Sequence, residues 1–368
     1  MTQRTTPAAQ VLETDLEEIR THARGSLDRL AGMRVLMTGG AGFLGYEMLH
    51  VLATIGEGDG RAPVQLTVYD NMLRGRKAWL EQLGARPHVQ VVNHDITKPL
   101  PADAPAFDYI VHAASIASPI FYRQYPIETI DANVNGVRHL LDHMRARQEK
   151  NPVRGMLFFS SSEIYGDPDP SSIPTKEDYR GLVSCTGPRA CYDESKRLGE
   201  TLCVNFARQY GCHVTIARPF NNYGPGLSIH DRRLLPDVAR DIFEGRDIVQ
   251  LSDGTATRTF CYIADAVSGY LKVLTHGEAG EPYNIGTERP EISVRDFVNK
   301  AAAIGAEQHG WRGNVVQQSS DDRHYLTDNP NRRCPDIGKA RTRLGYEPYV
   351  GLDEGLKRAL AWYSGNRE

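Results

Sequence analysis

The stretch Thr38-Gly39-Gly40-Ala41-Gly42-Phe43-Leu44-Gly45 constrains the fold of this chain more than any other. It follows a short aliphatic run and opens a helical pattern. Glycines spaced Gly-x-x-Gly-x-x-Gly let a chain turn tightly out of a strand, bring its backbone close to a pyrophosphate and pack a helix on a sheet. The helix N-terminus then attracts the phosphate charge. Alone, such a loop reads equally well as a flexible turn, so its surroundings decide.

Beyond Met33, short β-branched runs alternate with longer helical patterns, the signature of βαβ units and a mostly parallel sheet. Strands are expected at Arg34–Thr38, Val64–Tyr69, Val89–Asn93, Tyr109–His112, Met156–Ser160 and His213–Arg218, with right-handed crossovers. The fold class that follows is α/β, a Rossmann-like doubly wound parallel sheet with a smaller mixed α/β C-terminal substrate lobe. In this reading residues 33–218 form the dinucleotide-binding domain, with 259–275 returning to it, and 219–258 and 276–368 form the substrate lobe. Residues 1–32 are a helical extension, in which Val11, Leu12, Leu16, Ile19, His22, Leu27 and Leu30 recur near helical spacing. That stripe predicts one amphipathic helix, packed on the back of the domain or used in self-association.

Composition narrows the partners. A net charge of -3 on 368 residues offers no excess positive charge to a polyanion, so no nucleic-acid partner is expected. No run of about 18 apolar residues exists, and Met1–Arg20 is polar and acidic, which predicts no membrane span, no signal peptide and a cytoplasmic protein. The six cysteines form no Cys-x-x-Cys pair and no zinc spacing, so reduced thiols and no metal are expected.

Asp70 ends the second strand, placed to accept hydrogen bonds from the adenosine ribose and to repel a 2′-phosphate, which favours NAD over NADP. Arg74 and Arg76 follow, as a solvated turn or as pyrophosphate contacts. Asp95-Ile96, after the third strand, either frames the adenine or caps a simple turn.

Tyr192 and Lys196 are four apart, hence on one helical face. An ammonium beside a phenol favours phenolate, predicting a pKa lowered toward neutrality and a base that takes a hydroxyl proton as hydride leaves for NAD. Upstream, Ser160-Ser161-Ser162-Glu163-Ile164-Tyr165-Gly166 ends the fifth strand, supplying hydroxyls and a carboxylate at the ligand-binding edge of such sheets. Serine capping of a strand-to-helix turn is the plainer account of it.

Taken in order, the glycine loop, Asp70, the Ser/Glu cluster and Tyr-x-x-x-Lys resemble the extended short-chain dehydrogenase/reductase family, over Met33 to Tyr363. The pattern is most similar to that of the UDP-glucuronate decarboxylases. The matching segments are Ala117-Ser118-Pro119 with Tyr122, Ser162–Pro168, Gly187-Pro188-Arg189-Ala190-Cys191-Tyr192-Asp193-Glu194, Phe220–Pro225 and Arg258–Tyr262. The resemblance implies NAD-dependent oxidation of a UDP-linked sugar at C4, loss of carbon dioxide from the resulting β-keto acid, and UDP-xylose or the UDP-4-keto-pentose as product. An epimerase or 4,6-dehydratase of another nucleotide sugar is the alternative. Against dehydration, Ser162 stands where those enzymes of the family carry an Asp that protonates the C6 oxygen.

By the same resemblance Tyr192 is the base, Ser161 binds O4, Lys196 orients the cofactor ribose, and Glu163 and Arg258 handle the carboxylate and reprotonate C5. Ser162 completes the catalytic set. Gly39, Gly42, Phe43, Leu44 and Gly45 meet the pyrophosphate, and Asn71, Ala113, Ala114, Ser115 and Asn133 join Asp70, Arg74, Asp95 and Ile96 around the cofactor. Pro119, Tyr122, Arg189 and Tyr262 face the sugar with Glu163 and Arg258, while Asn221 and Arg233 reach the diphosphate. Arg232 replaces a usual Gly, Asn222 a usual Thr and Ser252 a usual Gly. A homodimer built on helices around Ile127–Arg147 and Cys191–Tyr210 is also implied.

Overall fold

Arg34–Thr38 reads Arg-Val-Leu-Met-Thr, and its last four residues are buried, as a strand covered on both faces requires. Val35 and Met37 enter one apolar core and Leu36 the other. Gly155–Phe159 repeats the alternation, with Leu157 and Phe159 on the first face and Met156 and Phe158 on the second.

In the computed structural model, which describes residues 6–58, 60–322 and 327–367, seven strands form one parallel sheet. Their order is Pro282–Ile285, Val214–Pro219, Gly155–Phe159, Tyr109–His112, Arg34–Thr38, Gln65–Asp70 and Val89–Asn93. The order reverses between Arg34–Thr38 and Tyr109–His112, and such a switch point opens a crevice at the carboxyl ends of the strands. Six strands lie within one residue of the positions expected from sequence. The seventh, Pro-Tyr-Asn-Ile, comes from the stretch read as substrate lobe; four residues opening with proline suit only an edge, where a missing N–H does no harm.

Helices Pro126–Ala146 and Ala190–Tyr210 pack against each other on one side of the sheet. On the other lie Phe43–Ala53 and Ile263–His276, and the N-terminal extension packs on these. That extension is two helices, Pro7–His22 and Arg24–Leu30, because the chain leaves helical geometry at Ala23. The bend lets Ile19 and Leu27 both become fully buried, worth about 1.5–3 kcal/mol each. Pro7–His22 also packs on the helix Leu352–Gly365, whose Arg358 pairs with Asp15 and Glu18.

Three small sheets complete the substrate side. In one of them Thr257–Thr259 pairs with Glu291–Ser293 and with Arg332–Arg333, bringing Arg258 and Arg333 into register. Among the described residues, no helix is long and apolar enough to cross a membrane, and no group of His, Cys, Asp and Glu could hold a metal ion.

Candidate active site

The glycine loop fits a dinucleotide on its own geometry. Gly39 has φ +70°, and a Cβ built on it would lie 2.4 Å from the Cα of Ala114. A Cβ on Gly45 would lie 2.1 Å from the carbonyl oxygen of Gly40, so the helix Phe43–Ala53 can start this close to the strand only with glycine there. Phe43 and Leu44 form its first turn. Across the crevice, Ala113, Ala114 and Ser115 follow Tyr109–His112, and the Ser115 hydroxyl is buried without a partner. The carbonyl oxygen of Asn133 is likewise orphaned, while its amide donates to Ser195 at 2.9 Å. Buried polar atoms left unpaired cost about 1–3 kcal/mol each, a debt that a bound ligand relieves.

Asp70 accepts from the backbone N–H of Ala41 at 2.9 Å and of Met72 at 2.8 Å, which ties the second strand to the glycine loop. Burial raises its pKa against those two amides. Asn71 caps the following turn through Leu73 N–H at 3.1 Å. Asp95 is exposed and accepts from Thr97 N–H at 3.0 Å, so the simple turn-cap reading describes it; Ile96 is a core residue packed beside Gly136. Arg74 pairs with Asp231 at 2.9 Å and lies over the Phe121 ring.

Tyr192 and Lys196 sit one turn apart on Ala190–Tyr210, both buried. Ser161 stands near the Tyr192 phenol and opposes part of the effect of its burial. The Tyr192 ring stacks on Tyr122, centroids 5.1 Å apart. Lys196 Nζ donates to the Phe159 carbonyl at 2.8 Å and lies 5.7 Å from the centre of the Tyr192 ring. Burial pulls the ammonium down to about 7 and pushes the phenol up to about 12, the latter partly opposed by the nearby Ser161. The expected phenolate near neutrality is therefore corrected for the protein without ligands: both groups lose their water, and desolvation favours both neutral forms.

Ser161 starts the short helix Ser162–Tyr165 by accepting from the Glu163 N–H at 3.2 Å, and Ser162 is buried behind it. Glu163 is gripped at both oxygens by Arg333, at 2.5 and 2.6 Å, and also accepts from Arg189. Burial alone would push its carboxyl up; Arg333 and Arg189 outweigh that and hold it at about 2. A carboxylate this far below neutrality accepts hydrogen bonds and stores no proton, so the expectation that Glu163 reprotonates C5 is withdrawn. The acid that does titrate near neutrality is Asp193, raised to about 7 by burial and by the Glu163 charge. Sequence reasoning named neither Asp193 nor Arg333 as a site residue.

Arg258 donates to the carbonyls of Thr257 (2.7 Å), Asn331 (3.2 Å) and Pro330 (2.5 Å) and to Asn329 Oδ1 (3.4 Å). Burial, then the neighbouring Arg333, lowers it to about 9. Arg233 opens the helix Leu234–Phe243, pairs with Asp231 at 3.0 Å and donates to Ala117 O at 3.2 Å; Pro119 starts the helix Pro119–Gln124, which carries Tyr122. Asn221 adopts φ +42° and donates to Thr259 O at 2.9 Å. Tyr262 is corrected outright. Its hydroxyl donates to Asp15 Oδ2 at 2.7 Å in the N-terminal helix, and it is fully buried there, away from the sugar site.

Residues 35–286 match the NAD dependent epimerase/dehydratase family. The chain is 36% identical over 331 residues to UDP-glucuronic acid decarboxylase 3 of Arabidopsis thaliana, covering 88% of this chain and 87% of that protein. To UDP-glucuronic acid decarboxylase 1 of Xenopus tropicalis it is 34% identical over 330 residues, covering 90% and 72%. In three dimensions it is similar to a dTDP-glucose 4,6-dehydratase of Streptomyces venezuelae solved with NAD bound, with a TM-score of 0.77, 28% identity, and 91% of this chain and 98% of that chain covered. Because the family match runs from the first strand of the sheet to its seventh, it spans the elements that build the dinucleotide crevice, and the chain belongs to the NAD dependent epimerase/dehydratase family.

Proposed function

We propose that this protein decarboxylates UDP-glucuronate by way of a C4 ketone, giving the UDP-4-keto-pentose and, on its reduction, UDP-xylose. The observation that carries this reading is that Arg189, Arg258 and Arg333 gather around Glu163, and that Arg258, buried among them, bonds only to neutral acceptors. A neutral hexose gives the surplus charge no partner, and a uronate does. Both decarboxylase relatives carry the same activity in their names.

NAD, when bound, supplies the hydride acceptor at C4. Ser161 would hydrogen-bond O4, Lys196 would hold the ribose next to the nicotinamide, and Tyr192 would take the proton of the C4 hydroxyl once the positive charges of the bound cofactor and of Lys196 offset the burial that keeps its phenol protonated. The ketone so formed is β to the carboxylate; the C5–C6 bond breaks, carbon dioxide leaves, the bonding pair is held as an enolate on O4, and C5 then takes a proton from water. Ser162 suits this outcome, since an aliphatic hydroxyl is a poor acid for water loss and decarboxylation needs none. Gly39, Gly42, Phe43, Leu44 and Gly45 would hold the pyrophosphate of the cofactor, Asp70 and Asn71 its adenosine ribose, and Ala113, Ala114, Ser115 and Asn133 its nicotinamide half. Arg189 and Arg258 face the sugar; Asn221 and Arg233 face the diphosphate. Residues 33–218 with 259–275 and the strand Pro282–Ile285 serve the cofactor, and most of the remainder of 219–368 the sugar.

Incubated with NAD and UDP-glucuronate, the purified protein releases carbon dioxide, and Tyr192→Phe lowers that rate about 100-fold or more. Turnover of a neutral hexose nucleotide with no carbon dioxide rejects the reading. The protein works as a homodimer, supported by Ile127, Ile130 and Leu198, which stand exposed on the two neighbouring helices of one sheet face. It works in the cytoplasm, supported by its six free cysteines, and intact thiols in protein drawn from cells are the corresponding check.

A further inference from the structure

One ion pair joins the two rims of the dinucleotide crevice. In the sheet, Arg34–Thr38 lies between Tyr109–His112 and Gln65–Asp70, so its glycine loop is flanked by the segments that follow those two strands. On one flank Asp70 accepts from Met72 N–H, and Gly75 N–H donates to the Met72 carbonyl at 2.9 Å, which makes a tight turn that carries Arg74. On the other flank the Ser118 hydroxyl donates to the backbone carbonyl of Asp231 at 3.0 Å, and Arg233 donates to the carbonyl of Ala117. Asp231 comes from the later part of the chain, yet it is fixed to this second flank. Its carboxylate is divided, with Oδ2 2.9 Å from Arg74 Nη1 and Oδ1 3.0 Å from Arg233 Nε. Because both flanking segments leave the carboxyl edge of a parallel sheet, a link between them crosses beyond the end of Arg34–Thr38, over the glycine loop.

The two halves of the pair are not alike. The Asp231 side chain is 2% exposed and held on both sides, whereas that of Arg74 is 50% exposed and rests on the Phe121 ring, 5.0 Å from its centre. A buried carboxylate stays where its partners hold it, and a half-exposed guanidinium can swing into water at small cost. Arg74 is thus the moving half. Both partners are protein groups, so the pair forms whether or not NAD lies beneath it.

Resting on the placement of NAD on the glycine loop given above, we propose that Arg74 and Asp231 form a latch across the crevice, which opens for NAD to enter and again for NAD to leave. Asp231 is the fixed catch and a positioning residue; Arg74 is the arm. A latch that is shut in both the free and the loaded protein slows exchange in both directions and leaves the equilibrium alone. Slow exchange suits a reaction that needs one cofactor twice, first to oxidise C4 and then to reduce it.

The test is stopped-flow fluorescence of the full chain with NADH, with association read on mixing and dissociation read by a chase of excess NAD. Arg74→Gln raises both rates about fivefold, while the dissociation constant stays within about twofold. Arg74→Lys keeps part of the slow exchange, since an ammonium still pairs with Asp231. Asp231→Asn also raises both rates, and the double variant is no faster than the quicker single, because both changes remove the same latch. Arg74 is half in solvent, so its two variants carry the test even where Asp231→Asn does not fold. An association rate that fails to rise in Arg74→Gln overturns the proposal: a faster release alone makes Arg74 a direct contact of NAD, and a slower or unchanged entry makes it a structural residue. If Gly39→Ala weakens NAD binding in that case, the latch fails alone. If Gly39→Ala leaves NAD affinity unchanged, the placement of NAD fails with it.

Discussion

At Gly39 the chain has φ +70° and almost no room, since an added Cβ would lie 2.4 Å from one backbone atom of Ala114 and 2.5 Å from another. Backbone cannot yield as a flexible side chain can. Gly39→Ala therefore separates the two strands that flank the crevice, and titration of the variant with NAD shows at least about a tenfold loss of affinity together with a lowered melting temperature. Unchanged NAD affinity would show that the crevice is not where the dinucleotide binds. This residue was legible in the sequence because its spacing within the loop states its job. Arg333 was not: an Arg-Arg pair before Cys-Pro reads as a solvated turn, and its contact with Glu163 depends on pairing with Thr257–Thr259. Tyr262 was misread for the complementary reason, since its segment matches the site but its ring points into the N-terminal helix. Arg232 shows a third case. The departure from glycine was visible, and the structure adds that Arg232 keeps the left-handed backbone, φ +66°, that glycine adopts without strain.

Among the elements, the N-terminal pair of helices was seen as one, because apolar spacing continues through the bend at Ala23 while the backbone does not. Its mode of attachment has a chemical consequence. Asp15 is fully buried against Glu47 of the helix that begins at the glycine loop, with Tyr262 and Arg358 also bound to Asp15, Glu18 on Arg358, and Asp265 nearby. Among the described residues no donor reaches either Glu47 oxygen, and burial with the Asp15 charge favours the protonated form of Glu47. Burial raises Asp15 to about 6, raises Asp265 to about 7, and holds Glu47 well above the usual carboxylate range, with the Asp15 charge next in effect. Carboxyls raised on folding bind more protons folded than unfolded. Their contribution is complete below the ordinary carboxylate pKa and is lost as pH rises through the raised values, from about 4 to about 7 for Asp15 and Asp265. Melting temperature accordingly falls between about pH 4 and about pH 7, and Glu47→Gln, which stays neutral at every pH, flattens the fall. Parallel curves for the two proteins would mean that the Asp15 and Glu47 carboxyls do not share a proton.

For the molecule as a whole, six of the seven sheet strands were foreseen because parallel buried strands leave near-continuous apolar runs; the edge strand Pro282–Ile285 breaks such a run with a proline and an asparagine. Quaternary structure is written more faintly still, in side chains such as Ile127, exposed to 64% on a helix that is otherwise well packed. Light scattering at micromolar concentration is expected to return about twice the 41.0 kDa of one chain, and Ile127→Asp with Leu198→Asp to return a single one. A monomeric wild type would remove the pairing proposed for those helices. The contact between Pro7–His22 and Leu352–Gly365 has an effect on biosynthesis as well. During translation the earlier helix leaves the ribosome long before Arg358 exists, so Asp15 and Glu18 go without that cation until the last turns of the chain emerge. The nascent polypeptide thus carries its first helix unclasped through most of its synthesis, and chaperones have that whole interval in which to hold it.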